Sequence, residues 1–246
     1  MLFFIKKIIF LIAYIIHRNV NSKVIYYHDL SQKYTDMGTD FNLFKKHISI
    51  IRECGYKIVP GITEKKNEVM ICFDDGWAGI YDYKDYFASN DIRPTIFIAV
   101  DLIGEDGYLN LEQLYDLARL GFNFECHTWS HQDLTSFDDK ELIREIKDSK
   151  LKLESLLNKP INAICFPMGR FSLNIFNMCK DVGYIQLYSS ICGGYNDYID
   201  KGIICRVCAQ FSSPTEFRWM LNSTSSFFRR RFIKQQYVGN FNHDFY

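Results

Sequence analysis

The sequence predicts an α/β protein built on a parallel sheet, because short apolar segments alternate with segments of helical periodicity. The apolar segments lie near 24–27, 69–73, 95–100, 122–126, 162–166 and 185–189, and the helical ones near 40–54, 77–89, 110–120, 137–157 and 172–182. Alternation repeated this often is typical of a parallel sheet, either open or closed into a barrel. Chain length and strand number favour an incomplete or distorted (β/α) barrel.

The helix near 137–157 has the clearest signal of the predicted elements. Ser136 or Asp138 is placed to cap it, and acidic residues fill its first turn. Its apolar face is formed by Leu142, Ile146, Leu153 and Leu156 or Leu157.

Length and composition predict one large domain at 23–246, preceded by a hydrophobic segment at 1–22. The 246 residues include 48% apolar side chains, which is enough for a sizeable core. Lysine plus arginine equals aspartate plus glutamate at 29 each, so no basic field indicates a nucleic-acid partner. The eight cysteines include Cys72, Cys126 and Cys165 inside apolar runs, where we expect buried free thiols.

The N-terminal segment places Lys6 and Lys7 before the apolar run 8–16. This run is shorter than the about 20 residues that span a bilayer as a helix. No small-x-small cleavage site follows it, so an uncleaved anchor or a helix on the membrane surface is favoured over a signal peptide. A buried N-terminal helix is the alternative. The sequence leaves open which side of the membrane the domain faces.

Two clusters of ionisable side chains follow predicted strands. The run 69–73 ends at Asp74 and Asp75, where an ordinary Asp-Gly turn is the alternative to a functional site. The run 122–126 ends at His127 and His131, whose spacing allows both imidazoles to bind one zinc ion. In a (β/α) barrel the carboxyl ends of the strands share one face, so these residues are predicted to meet. Pro167 and His28 follow two further predicted strands.

The motifs CFDDG at 72–76, HTWSH at 127–131 and FPMG at 166–169 resemble those of the polysaccharide deacetylases, carbohydrate esterase family 4. Further similarity lies at 93–98, at Glu125 and at Leu134, and the resemblance covers about residues 23–219. It implies the family's incomplete (β/α) barrel.

A segment near the N-terminus, Ile25-Tyr26-Tyr27-His28-Asp29, resembles the family's Leu-x-His motif, which usually lies near the C-terminus. This order is similar to that of the circularly permuted members that act on poly-N-acetylglucosamine. The third motif departs from the family, since Phe166 stands where many members have an arginine. Asp197, Asp200 and Arg206 are candidates for the fourth motif.

The resemblance implies a role for each motif residue. Asp75, His127 and His131 would hold zinc, or cobalt, nickel or manganese, and Asp74 would be the general base. His28, oriented by Asp29, would be the general acid, and the backbone N–H of Met168 after Pro167 would bind the oxyanion. Trp77 and Trp129 are candidates for stacking on sugar rings, although core packing is the commoner role of such aromatic residues.

The expected reaction is removal of N-acetyl groups from an N-acetylhexosamine polysaccharide or glycolipid at a membrane. Three alternatives remain open from the sequence. They are an amidase acting on a non-sugar amide, an inactive carbohydrate-binding module, and a membrane-bound interaction protein that uses the basic run 229–231.

Overall fold

The computed structural model describes residues 20–32, 35–222 and 226–245. The strands, in chain order, are β1 Lys23–Tyr27, β2 Asp29–Ser31, β3 Gly38–Asp40, β4 Lys57–Ile58, β5 Glu68–Phe73, β6 Thr95–Ile98, β7 Asn123–Cys126, β8 Ala163–Cys165, β9 Phe171–Ser172, β10 Gln186–Cys192, β11 Ile203–Cys208 and β12 Tyr237–Val238. The helices are α1 Phe41–Glu53, α2 Lys84–Ser89, α3 Leu111–Arg119, α4 from Asp139 to Leu157, α5 Leu173–Asp181, α6 Pro214–Asn222, α7 Ser226–Gln236 and α8 Phe241–Phe245.

Seven parallel strands close into a barrel. They follow one another in the order β1, β11, β10, β8, β7, β6 and β5, and the ring closes because β1 also pairs with β5 along Lys23–Tyr27. The pairing between β7 and β8 is short and joins Cys126 to Ile164. Glu125 strengthens this pairing, because its carboxylate accepts hydrogen bonds from the backbone N–H groups of Asn162 and Ala163. The predicted distorted (β/α) barrel is therefore confirmed.

Alternation along the strands produces two apolar layers. The smaller layer fills the barrel and contains Val24, Met70, Cys72, Phe97, Ala163, Cys165, Tyr188 and Ile204. The larger layer packs the outer strand faces against the helices and includes Ile25, Ile71, Phe124, Leu187 and Ile203. All eight cysteines are free thiols, and Cys72, Cys126 and Cys165 are buried as expected.

Helix α4 confirms the predicted helix near 137–157 and adds an irregularity. Asp138 caps it, together with Glu141, in a reciprocal capping box. The segment Ile143–Asp148 then winds as a π-helix, which shifts the register of the faces. As a result Ile143 is exposed, whereas Glu145 is buried.

The sequence prediction missed β11 and everything after it. Strand β11 interrupts its apolar run with Arg206, which hides the strand from a hydrophobicity pattern. The C-terminal region containing His243 is part of the fold, since β12 pairs with β9 and Phe241 is buried against Tyr237. Within the described ranges, no helix is both long and apolar enough to cross a membrane. The predicted membrane segment at 1–22 lies almost entirely outside the described residues, which begin at Val20.

Candidate active site

The candidate active site lies on the face of the barrel where the strands end, called the rim below. Asp74 and Asp75 follow β5, His127 follows β7, Pro167 follows β8 and His28 follows β1. The closed parallel barrel places these strand ends on one face, as predicted.

Asp75, His127 and His131 converge on one point. The Nε2 atom of His127 lies 3.2 Å from Oδ1 of Asp75, and the Nε2 atom of His131 lies 2.9 Å from the same oxygen. Their ligand atoms all lie within 4.8 Å of one another. The carboxylate and His127 are buried, while His131 is partly exposed towards the rim.

Within the part of the chain that the structure describes, the buried Oδ1 atom of Asp75 has no partner with hydrogen-bond geometry, although both imidazoles lie close to it. A buried carboxylate oxygen without a partner is costly unless a cation binds it. Burial alone would raise the pKa of Asp75, but the two histidines outweigh burial and hold this pKa well below its usual range. The donor set of two imidazoles and one carboxylate fits a divalent metal such as zinc.

Hydrogen bonds orient the side chains of Asp75 and His127 and hold the backbone at His131. His127 Nδ1 donates to the backbone carbonyl of Cys165 over 2.7 Å, which leaves Nε2 facing Asp75. Trp77 Nε1 donates to Oδ2 of Asp75 over 3.1 Å, and the backbone N–H of His131 donates to Oγ1 of Thr128. Such outer contacts are what orient the ligands of metal sites in proteins.

Glu145 holds the loop between the two histidines and was missed by the sequence analysis. Its buried Oε2 accepts hydrogen bonds from the backbone N–H groups of Trp129 and Ser130, at 3.1 and 2.9 Å. Glu145 points inward because of the π-helical turn in α4, and π-helical turns occur frequently at functional sites. A regular helical periodicity gives no signal for this contact.

Asp74 is paired with Arg206, one of the candidates for the fourth motif. The guanidinium donates two parallel hydrogen bonds to the carboxylate, of 2.7 Å to Oδ1 and 2.8 Å to Oδ2, and both side chains are buried. Burial alone would raise the pKa of Asp74, but Arg206 outweighs it and lowers this pKa. Asp74 is therefore a carboxylate at neutral pH. Arg206 supplies from β11 the cation that the third motif lacks at Phe166.

The other fourth-motif candidates lie away from this pair. Asp197 accepts a hydrogen bond from the backbone N–H of Gly194 in the connection before β11, and Asp200 forms an ion pair with Lys201 there. This connection is at the opposite end of the barrel from the rim.

Asp74, His127 and Cys165 form a second group of close ligand atoms, but their atoms are already engaged. Arg206 binds both oxygens of Asp74, and Nδ1 of His127 donates to the Cys165 carbonyl. The Cys165 thiol is also held in its neutral form, because burial raises its pKa. This group is therefore part of the wall of the site.

His28 is oriented by Gln210, which corrects the expectation that Asp29 orients it. His28 Nδ1 lies 2.5 Å from Oε1 of Gln210, the second residue after β11. Asp29 instead faces the backbone around Gly79, and burial raises the pKa of Asp29 to about 6. Gln210 follows a strand that the sequence pattern did not reveal, so its contact with His28 had no local signal.

Pro167 and Met168 form a tight turn after β8. The N–H groups of Gly169 and Arg170 donate back to the carbonyls of Phe166 and Pro167. This turn holds Met168 at a φ of +55°, a strained conformation for a residue with a side chain. The Met168 side chain is 60% exposed at the rim.

The two tryptophans flank the candidate metal ligands, but both are anchored by their neighbours. Trp77 stacks on Tyr108 with ring centroids 4.3 Å apart, in addition to its bond to Asp75. Trp129 Nε1 donates to Asp101, and the guanidinium of Arg144 lies over its ring. Both side chains remain partly exposed, so they retain apolar surface at the rim.

The comparisons with known proteins agree with this geometry. The family profile described as polysaccharide deacetylase matches residues 61–187. The protein YxkH of Bacillus subtilis (strain 168), whose name classes it with the polysaccharide deacetylases, is 24% identical over 172 residues. That match covers 65% of this chain and 61% of YxkH, so the chain spans about three fifths of the relative's length.

Solved structures share the fold at lower identity. The Streptococcus pyogenes deacetylase PplD in complex with acetate superposes with a TM-score of 0.72 at 21% identity, covering 82% of this chain and 99% of PplD. IcaB from Ammonifex degensii superposes with a TM-score of 0.71 at 16% identity, covering 83% of this chain and 98% of IcaB. The profile match spans more than half of the 246 residues. With its motifs assembled on one rim, the chain belongs to the polysaccharide deacetylase family.

Proposed function

We propose that this protein removes N-acetyl groups from an N-acetylhexosamine-containing polysaccharide or glycolipid and releases acetate in a metal-dependent reaction. The observation that carries the proposal is the convergence of Asp75, His127 and His131 directly beside the buried Asp74–Arg206 pair. One group of residues is suited to bind a divalent ion, and the other supplies a base.

The proposed metal ligands are Asp75, His127 and His131. Zinc fits this donor set best, and cobalt, nickel or manganese are alternatives. A bound divalent ion would lower the pKa of a water molecule and polarise the acetyl carbonyl.

Asp74 is the proposed general base. Arg206 keeps it ionised, and its place next to Asp75 puts it within reach of a water molecule at the ligand cluster. His28, which follows the neighbouring strand β1, is the proposed general acid that protonates the departing amine. Tyr27 pairs with Phe73, so His28 and Asp74 directly follow paired residues of β1 and β5, which supports their placement around one reaction centre.

Met168 is proposed to stabilise the oxyanion through its backbone N–H. The turn that begins at Pro167 fixes this peptide, and a preorganised donor is what oxyanion stabilisation requires. The partly exposed faces of Trp77 and Trp129 are proposed to contact the sugar rings next to the reacting acetyl group.

The test is acetate release from N-acetylglucosamine oligomers, with and without a chelator, for the wild type and Asp74→Asn. We expect chelator-sensitive release that falls by about 10² to 10⁴ in Asp74→Asn, the range for removal of a general base. Release from a simple non-sugar acetamide but not from the oligomers would favour the amidase alternative. Binding of the oligomers without any release would favour the inactive binding module.

We also propose that the N-terminal segment associates with a membrane. The apolar run 8–16 leads into Val20, whose carbonyl accepts a hydrogen bond from Asn67 at the barrel end opposite the rim. Lys65 and Lys66 in this loop are exposed and have the charge that attracts anionic lipid. This arrangement would direct the rim away from the membrane, towards a polymer that extends from the surface.

The membrane proposal is tested by sedimentation of the full chain with anionic vesicles. We expect wild-type protein to bind and Ile9→Asp/Ile12→Asp to remain in the supernatant, because two charges interrupt the apolar run. Equal binding of both proteins would contradict a role for the segment.

A further inference from the structure

We infer that Gln210 is a positioning residue that fixes His28 as its Nδ1–H tautomer and so leaves Nε2 as the nitrogen that serves the substrate. The inference rests on the proposed role of His28 as general acid. Gln210 is fully buried, although its side chain is polar and it lies at the rim. A buried amide must satisfy both its oxygen and its nitrogen, and this constrains its orientation.

The orientation of the Gln210 amide is set by Asp36. The Nε2 group of Gln210 donates to the backbone carbonyl of Asp36 over 2.8 Å. A carbonyl oxygen accepts and cannot donate, so the amide nitrogen must face Asp36. The amide oxygen Oε1 is therefore the atom that faces His28.

The amide orientation determines the tautomer of His28. Oε1 of Gln210 can only accept, so Nδ1 of His28 must donate to it. In the neutral ring the proton then resides on Nδ1, and Nε2 has a free lone pair. Proton delivery from Nε2 returns the ring to this same tautomer, so the hydrogen bond to Gln210 persists through the reaction.

The position of the ring is fixed as well. Gln210 follows β11, the strand next to β1, and its partner Asp36 lies in the loop between β2 and β3. The edge of the His28 ring also meets Tyr26, with centroids 5.9 Å apart. Three chain segments thus determine where Nε2 lies, which matters because a general acid must be within hydrogen-bond reach of the leaving group.

The inference is tested by long-range ¹H–¹⁵N spectra of the ¹⁵N-histidine-labelled full chain, recorded well above the ordinary histidine pKa of about 6.5. The His28 signals are assigned by comparison with His28→Asn. We expect the wild type to carry the proton on Nδ1 and Gln210→Leu to shift towards the Nε2–H tautomer. Gln210→Glu keeps an acceptor oxygen and should retain the proton on Nδ1.

A matched control is Gln186→Leu, which removes another amide that accepts a hydrogen bond, from the Tyr188 hydroxyl at the opposite end of the barrel. This control should leave the tautomer and acetate release unchanged. In Gln210→Leu, kcat should fall by up to about 100-fold, the effect of misplacing a reacting group, with little change in KM. Gln210→Glu should restore much of this loss.

Two results would overturn the inference. The first is an Nε2–H signal for His28 in the wild type, which needs no variant to fold. The second is an unchanged Nδ1–H signal in folded Gln210→Leu. Both readings are independent of turnover, so a protein without deacetylase activity would contradict the proposed function and still decide the role of Gln210.

Discussion

At the barrel end where the strands begin, backbone positions with positive φ are occupied by residues that tolerate them. At the rim, residues of the candidate site have positive φ although they carry side chains that disfavour it. Among the described non-glycine residues, the positions concerned are Asn67, Asp91 and Asn158 at the first end, and Asp75, Thr128, His131 and Met168 at the rim. Thr128, which is β-branched, is the least tolerant of these.

The difference shows where the fold holds strain. A strained residue persists only where surrounding contacts over-determine it. At the rim those contacts include the bond from the His131 N–H to Thr128 and the anchoring of the loop by Glu145. The ion pairs differ in the same way, since Arg206–Asp74 is buried at the rim, whereas at the other end Arg93 is half-buried and its partner Asp91 is exposed.

The largest expected effect is the loss of metal from a ligand variant. His131→Ala removes one of the three proposed ligands, so we expect loss of bound metal and of acetate release. The matched control is His243→Ala, because His243 is highly exposed in the C-terminal helix. Metal content measured by elemental analysis should fall in the first variant only. Full metal retention in His131→Ala would contradict the assigned site.

The second effect compares the two ion pairs. Arg206→Met leaves Asp74 buried without its cation, which should cost about 3–5 kcal/mol of unfolding free energy and most of the activity. Arg93→Met removes a pair whose carboxylate is exposed to solvent and should cost less than about 1 kcal/mol. Urea denaturation measures both. Equal losses of unfolding free energy in the two variants would contradict the expectation that the buried ion pair contributes more to stability.

A pH effect of about 3 kcal/mol is expected at His47, which joins helix α1 to the segment after β11. Its ring contacts the Tyr27 hydroxyl and the Ser212 carbonyl, and burial lowers its pKa to about 4. A lowered folded-state pKa means that the unfolded state binds the proton more readily. Stability should therefore fall between about pH 6.5 and pH 4.

Denaturation of the wild type and His47→Gln across this pH range checks the expectation. The variant should have lower stability at neutral pH but a flatter pH dependence in this window. His243→Gln should keep the wild-type slope. An unchanged slope in His47→Gln would show that another group causes the pH dependence.

A moderate effect is expected from the carboxylates that accept backbone hydrogen bonds at each end. Glu145→Ala frees the loop between the two histidines proposed as metal ligands and should weaken metal affinity by about 10- to 100-fold. Glu154 accepts a hydrogen bond from the Ile161 N–H at the opposite end. Glu154→Ala should leave metal affinity unchanged in a competition titration with a chelating dye.

The smallest effect concerns backbone strain. Met168→Gly relieves the strain of a positive φ, and little packing is lost because Met168 is exposed. The glycine also adds conformational freedom to the unfolded chain, which offsets the relief. The free energy of unfolding should therefore change by less than about 1 kcal/mol. Acetate release should fall, because the N–H at this position loses its fixed orientation. Asn158→Gly is the control and should leave kcat unchanged. Thermal unfolding and acetate release measure both.

Local patterns were sufficient to predict much of the rim. Asp74, Asp75, His127 and His131 each directly follow or lie next to an apolar strand, so a barrel brings them together without any knowledge of distant contacts. The helix near 137–157 was predictable from periodicity and from its capping residue Asp138.

The partners of these residues were harder to predict because they are distant in sequence. Arg206 is 132 residues from Asp74, and Gln210 is 182 residues from His28. Strands are identified by an apolar pattern, and a buried charge inside a strand interrupts that pattern. Arg206, which binds the proposed base, is therefore also the reason why β11 was not predicted. Glu145 was hidden in the same way by the π-helical turn.

The most direct test of the central claim is a metal titration of the chelator-stripped full chain with acetate release as the readout. We predict that activity rises linearly with added zinc and reaches a plateau at about one equivalent, as expected for a single three-ligand site. Asp74→Asn should bind the same equivalent and remain inactive. Full activity in the metal-free wild type, or in metal-loaded Asp74→Asn, would contradict the account.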